Sequence, residues 1–215
     1  MMRILLMFAI LFTIIVSSAQ AMVKSGEIKD VNLKLVYPLI YTENKDAQEK
    51  INQDIAIQVF KIKNAYDKGK LYTAEMNYGI TYEDSEVISL WLNRDLVSNP
   101  TAVHGYYWRE GIVFDKRTGS RIPLSNYVRI KDAQQIMYGL HGNVIREYNQ
   151  KGEGVRYFMD HSFEIKHVEK SYILLGDGKL ALLYPPYSAG PYADGTISIV
   201  FDEKAIDYYN RMNKI

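Results

Sequence analysis

The stretch Tyr172-Ile173-Leu174-Leu175-Gly176-Asp177-Gly178-Lys179-Leu180-Ala181-Leu182-Leu183-Tyr184-Pro185-Pro186-Tyr187-Ser188-Ala189-Gly190-Pro191-Tyr192-Ala193-Asp194-Gly195-Thr196-Ile197-Ser198-Ile199-Val200-Phe201 reads as strand, turn, strand, loop, strand. Two apolar runs flank Gly176-Asp177-Gly178, where glycine tolerates the positive φ of a tight hairpin turn. The loop that follows holds three of the six prolines. Proline fixes φ and gives up a donor, so this loop is expected to be stiff and to hold its tyrosines in defined places. Rigid tyrosine-rich loops lose little side-chain entropy on docking, which makes Pro185, Pro186, Tyr187 and Tyr192 candidate binding residues. The alternative is a plain crossover between strands whose rings fold back on the core. Downstream, Asp202 caps a terminal helix bearing Ala205, Ile206 and Tyr209.

Upstream, Glu27 to Leu39 alternates through Ile28, Val31, Leu33, Leu35 and Tyr37 and predicts a first strand stopped by Pro38. Ala47, Ile51, Ile55, Val59, Ile62 and Tyr66 recur every three or four residues, with Asn44 as cap and Gly69 as stop. That pattern predicts a long amphipathic helix near the N-terminus of the mature chain. Leu71 to Tyr82 and Val87 to Leu96 then alternate with period two about an acidic turn at 83–86, predicting an antiparallel hairpin with one wet face. Val103 to Phe114 predicts a third strand, and Gly119 its closing turn. A second helix is expected from Asp132 through Tyr148, short or broken because Gly139 and Gly142 each cost about 1 kcal/mol relative to alanine. Gln150 to Gly154 reads as an exposed linker and Phe158 to Val168 as the start of another strand. The expected class is α+β: an antiparallel meander sheet packed by the long N-terminal helix, with a second helical segment and a C-terminal strand and helix.

Met1-Met2-Arg3, an apolar run from Ile4 to Val16 and Ala19-Gln20-Ala21 together have the layout of a secretory signal peptide. The competing reading is a retained anchor, against which Ser17, Ser18 and Gln20 interrupt the roughly 20 apolar residues that a span needs. The expectation is a signal at 1–21 and one exported domain at 22–215, secreted or periplasmic. The chain carries 26 Lys and Arg against 25 Asp and Glu, so no net field draws it to nucleic acid or anionic membrane. It has no cysteine, which excludes disulfides, thiolate catalysis and Cys-ligated zinc. Tyrosine is unusually frequent, 18 against 7 Phe and 2 Trp, suiting half-buried sheets and wet interfaces.

No chemistry-bearing motif stands out. His104, His141, His161 and His167 lack metal-ligand spacing, and no nucleophile elbow or phosphate-cradling loop occurs, so neither a metal nor a cofactor is expected. His104-Gly105-Tyr106-Tyr107 places an imidazole at the mouth of an aromatic strand, either to meet a ligand or to hold a neighbouring loop by a hydrogen bond. Asp194 before Gly195 is a turn residue on one reading, and on the other one member of the Asp/Glu pair of a glycan-modifying enzyme.

Four segments in order resemble the DUF3298/RsiV-like family, which supplies the extracellular part of a lysozyme-sensing anti-sigma factor and also occurs beside peptidoglycan deacetylase modules. They are Tyr37-Pro38 with Ile51-Asn52, Ala102-Val103-His104-Gly105, Thr118-Gly119 with Ile122-Pro123-Leu124, and Tyr187-Ser188-Ala189-Gly190-Pro191-Tyr192-Ala193-Asp194-Gly195. The last is similar to the family's Y-x-x-x-P-Y-x-x-G signature, and the match spans residues 28 to 206. The resemblance implies an α+β binding domain of the cell envelope without catalytic residues, its partner lysozyme, another envelope protein or a peptidoglycan fragment. The lysozyme-gripping surface would map onto the loop around Ser98 and onto Pro185-Pro186-Tyr187, with the rest of the Ser98–Tyr107 region, including His104 and Tyr107, beside it. Only Met1, Met2 and Arg3 precede the apolar run, and no deacetylase domain is present, so an anti-sigma role is not expected.

Overall fold

The computed structural model describes residues 21–158 and 163–214; residues 1–20 of the expected signal at 1–21, and His161, lie outside the described residues. Among the described residues, ten strands form two five-stranded sheets, one ordered β1-β2-β3-β4-β5 and the other β7-β6-β10-β9-β8. The mixed α+β class is as expected, but the single meander is not: there are two sheets, and β2 joins β3 in parallel.

In the first sheet, β1 (Met22–Asp30) and β2 (Leu33–Tyr41) form a hairpin where one strand was expected. Pro38 lies inside β2 instead of ending it. Pairing with β3 stops at Leu35 opposite Met76, so β2 is one-sided by the time Pro38 arrives, and a missing N–H is tolerated there. Asn52 substitutes for the lost neighbour. Its Oδ1 accepts from the Ile40 N–H and its Nδ2 donates to the Ile40 carbonyl, both at 2.8 Å.

The amphipathic helix is α1 (Lys45–Asp67), capped by Asn44, whose Oδ1 accepts from the Asp46 and Ala47 N–H groups. It follows two strands, so it is not the N-terminal element of the fold. Its buried stripe of Ala47, Ile51, Ile55, Val59 and Ile62 packs on Leu33, Leu35, Met76, Ile88, Leu90, Leu92, Ile112 and Phe114 of the sheet. β3 (Thr73–Glu83) and β4 (Val87–Val97) form the expected hairpin, and β5 (Tyr106–Asp115) pairs with β4. β5 starts three residues later than predicted, because Val103 to Gly105 belong to the loop.

The second sheet holds the quoted hairpin, β8 (Tyr172–Gly176) and β9 (Lys179–Tyr184), then β10 (Ile197–Phe201), with β6 (Arg146–Tyr148) and β7 (Gly154–Val155) at its other edge. α2 (Ala133–His141) ends before Gly142, so Tyr148 is a strand residue and Ile145 lies in the bend before β6, and neither ends a helix. The described residues on either side of 159–162 form no strand, against the expectation for Phe158 to Val168. α3 (Glu203–Met212), capped by Asp202, and α2 cover the outer face of this sheet. There Ile197, Ile199, Phe201, Leu182 and Tyr184 join Ile136, Leu140 and Tyr209 in one core.

The inner faces of the two sheets meet. Trp91 of β4 packs on Ile173, Ala181, Leu183 and Val200. The expected wet face of the β3–β4 hairpin is therefore covered in part: Glu75, Asn77 and Asp95 stay exposed on it, whereas Ser89, although polar, is fully buried and its Oγ accepts from the Leu174 N–H across the gap.

Candidate functional site

Two loops meet at one end of this layer. The first, residues 98–105, joins β4 to β5 and is folded by Asn99, whose Oδ1 accepts from the N–H and hydroxyl of Thr101. The second joins β9 to β10. It is pinned by Ala189, fully buried, and by Gly190, whose missing Cβ leaves room for Ile197 and Tyr157. Between those anchors the chain turns through Ser188 N–H to Pro185 carbonyl (3.1 Å) and Tyr187 N–H to Gly190 carbonyl (2.9 Å). The turn leaves Tyr187 at its crest with φ of 68° and its ring 61% exposed.

The loops are joined by Tyr192, in a single 3₁₀ turn, whose hydroxyl donates to the Gly105 carbonyl at 3.0 Å. The His104 ring lies 4.4 Å from the Tyr192 ring and 6.3 Å from that of Tyr187, and the two tyrosine rings are 5.7 Å apart. His104 Nδ1 is 3.1 Å from its own neighbour, the Gly105 carbonyl, so Tyr192 and not His104 ties the loops together. Val103, next to His104 in the same loop, is 98% exposed, whereas Tyr106 lies on the α1 side of the first sheet, beside Ile57, Lys61 and Leu71. Burial, then the carboxylate of Asp95 and the phenols of Tyr187 and Tyr107, push the Tyr192 hydroxyl up, so it is a neutral donor at physiological pH.

Of the predicted site residues, His104, Tyr187 and Tyr192 are brought into one ring cluster. Pro185 and Pro186 sit half-buried at the base of the loop. Ser98 is exposed in the neighbouring loop, its Oγ accepting from Asn99 Nδ2. Asp194 acts through its backbone, its carbonyl accepting from the Gln150 N–H at 3.0 Å. Tyr107 lies beneath the rings in β5; burial raises its pKa, partly opposed by Arg109 and Gln150.

Below the rings is a polar group of residues that the sequence reading missed. Asn93 pairs with Arg109 across β4 and β5, and Asp95 pairs with Tyr107. From the turns that flank β6 and β10 of the other sheet come Gln150 and Thr196, the Gln150 Oε1 accepting from the Thr196 N–H at 3.0 Å. Gly195 makes this possible: its φ is 68°, and a Cβ there would strike Gln150 Oε1. The period-two pattern of β4 was the available signal, but Asn93 and Asp95 looked like the solvent face of a hairpin. Among the described residues no cluster of His, Asp or Glu has the arrangement of a metal site, and no helix is long and apolar enough to cross a membrane.

No protein-family model and no curated protein matches this sequence. Its structural neighbours are DUF3298 family proteins. A member from Bacteroides fragilis NCTC 9343 superposes with a TM-score of 0.53 at 10% identity, over 88% of this chain and 91% of the other. A DUF3298 family protein from Pseudomonas aeruginosa PAO1 superposes with a TM-score of 0.57 at 11% identity, over 87% and 91%. At such identities the likeness establishes a shared fold, and function has to be argued from the site.

Proposed function

We propose that this chain is an exported, non-catalytic binding domain of the cell envelope that docks its partner on the surface formed by His104, Tyr187 and Tyr192. One observation carries the reading: a well-anchored loop holds the Tyr187 ring out toward solvent, in a left-handed backbone conformation, against two other rings. Tyrosine contributes a large contact area with few rotatable bonds, and a preorganised loop lowers the ordering cost of association. Val103, next to His104 in the same loop, provides further exposed apolar area. The resemblance to the DUF3298/RsiV-like family suggests two partners, a c-type lysozyme or a peptidoglycan fragment, and an extracytoplasmic location follows from the leader pattern at 1–21.

Calorimetric titration with c-type lysozyme and, separately, with muropeptides tests this. Saturable binding to one of them is expected, weakened about tenfold or more in Tyr187→Ala, the loss of more than about 1 kcal/mol typical of an aromatic anchor. Binding that survives unchanged in Tyr187→Ala would remove this surface from the reading.

A further inference from the structure

The layer between the sheets changes character along its length. At one end it is apolar, Trp91 against Ile173, Ala181 and Leu183. Toward the ring cluster it becomes polar, and there four side-chain atoms are buried without a hydrogen-bond partner: Asn93 Oδ1, Arg109 Nε, Tyr107 Oη and Thr196 Oγ1. Asn93 is 9% exposed and Thr196 1%. The Tyr107 hydroxyl is the least isolated of the four, since Gln150 and Arg109 both lie close enough to act on it as hydrogen-bonding neighbours. Buried polar groups are nearly always paired, so an adjoining set of orphans marks a place that something else completes.

We propose that this polar layer and the rings above it form one site for a neutral glycan, a sugar ring stacking on Tyr187 and Tyr192 while its hydroxyls pair with Asn93, Arg109 and Thr196. This inference rests on the reading of the ring cluster as a docking surface and names the ligand it takes. The chemistry selects the class. Asn93 Oδ1 only accepts, Arg109 Nε only donates, and the Tyr107 and Thr196 hydroxyls do either. Sugar hydroxyls are both donor and acceptor and match that mixture, whereas a carboxylate or phosphate would leave Asn93 Oδ1 unpaired. Charge points the same way: the cation Arg109, stacked 4.4 Å from the Trp91 ring, is balanced by Asp95 beside Tyr107. The C–H groups on one face of a pyranose carry partial positive charge and pack on the negative face of a phenol. Access is through Tyr192, whose described hydrogen bond to the neighbouring loop is the single one to the Gly105 carbonyl. Swinging that ring breaks no strand pairing.

The test is titration of the protein with chitotetraose, cellotetraose and maltotetraose, followed by calorimetry and by amide NMR shifts, comparing wild type with Thr196→Val and Tyr187→Ala. Valine keeps the shape of threonine and removes the orphaned hydroxyl. The expected result is saturable binding of at least one tetrasaccharide, weakened fivefold or more by Thr196→Val while the melting temperature is unchanged or higher. Equal binding by wild type and Thr196→Val overturns the proposal, as does absence of binding to all three sugars, which would leave the orphans to ordered water. If lysozyme or muropeptide binding is then lost in Tyr187→Ala but kept in Thr196→Val, the docking surface stands and the glycan site falls. If Tyr187→Ala changes none of the titrations, the docking surface itself falls.

Discussion

Tyr187 holds a backbone conformation that any side chain with a Cβ resists, by roughly 1 to 2 kcal/mol. Ala189 and Gly190 fix the loop from below and Pro185-Pro186 from before, so the surrounding structure over-determines the strain. A ring that only filled the core would not need this, because a glycine would make the same turn more easily. The expected outcome separates backbone from ring. Tyr187→Gly should resist urea better than Tyr187→Ala by about 1 kcal/mol, since glycine relieves the left-handed strain and alanine keeps it, while both lose partner binding. The reverse order of stability would mean that the conformation at Tyr187 costs nothing. Here the sequence reading was informative but incomplete. The prolines announced a stiff loop, yet nothing local in Tyr187-Ser188-Ala189-Gly190 says which ring faces outward. That depends on Ala189 finding a place in the core of the second sheet.

At the scale of an element, α1 is legible from its own residues, because a 3.6-residue apolar stripe and an Asn cap are local signals. How it is held to the sheet is not. Arg121 makes two bonds to Asp54 of α1, Nε to Oδ2 at 2.7 Å and Nη2 to Oδ1 at 2.6 Å, and a third, from Nη1 to Glu110 Oε1 of β5, at 2.9 Å. Glu110 in turn accepts from Arg94, whose guanidinium lies 4.5 Å from the Trp108 ring. Partners more than ten positions apart cannot be read from spacing. Burial alone would raise the Asp54 carboxyl, but the hydrogen bonds and charge of Arg121 outweigh it and hold it below its ordinary value of 3.8. A carboxyl depressed in the folded state contributes stability above the unfolded value, and that contribution fades as acid protonates it. Wild type should therefore melt above Asp54→Asn at pH 6, by an amount worth about 1 kcal/mol or less for this partly exposed pair. The two curves should converge as the pH falls below the ordinary carboxyl value of 3.8. Parallel curves through that fall would show that Asp54 titrates normally.

At the scale of the whole molecule, the expectation of one meander failed for a reason visible in β4. Ile88, Leu90 and Leu92 alternate with Ser89, Trp91 and Asn93, and in isolation that is a strand with one wet face. The second sheet covers part of that face, so Ser89 and Asn93 became interior residues, and with them went the chance of reading the polar half of the site in advance. In β9 the continuous run Leu180 to Tyr184 was a sign that both faces are buried, but a run of five names no partner. Gly111 measures how closely the sheets approach. It pairs with Trp91, its N–H donates to Ser171 Oγ at 2.8 Å, and a Cβ there would sit 2.4 Å from the Tyr172 carbonyl oxygen. That obstacle is backbone, which cannot swing aside as a side chain can. Gly111→Ala should therefore force β5 and β8 apart and destabilise the protein by about 2 kcal/mol or more, a typical penalty for overpacking. Gly154→Ala is the matched control, since its nearest neighbour is the Tyr148 ring edge at 4.0 Å, and it should shift stability by no more than about 0.5 kcal/mol. Urea unfolding of the two variants checks this. Equal midpoints would mean that the sheets are not locked at Gly111, and the closed polar layer beside them would lose its rigid wall.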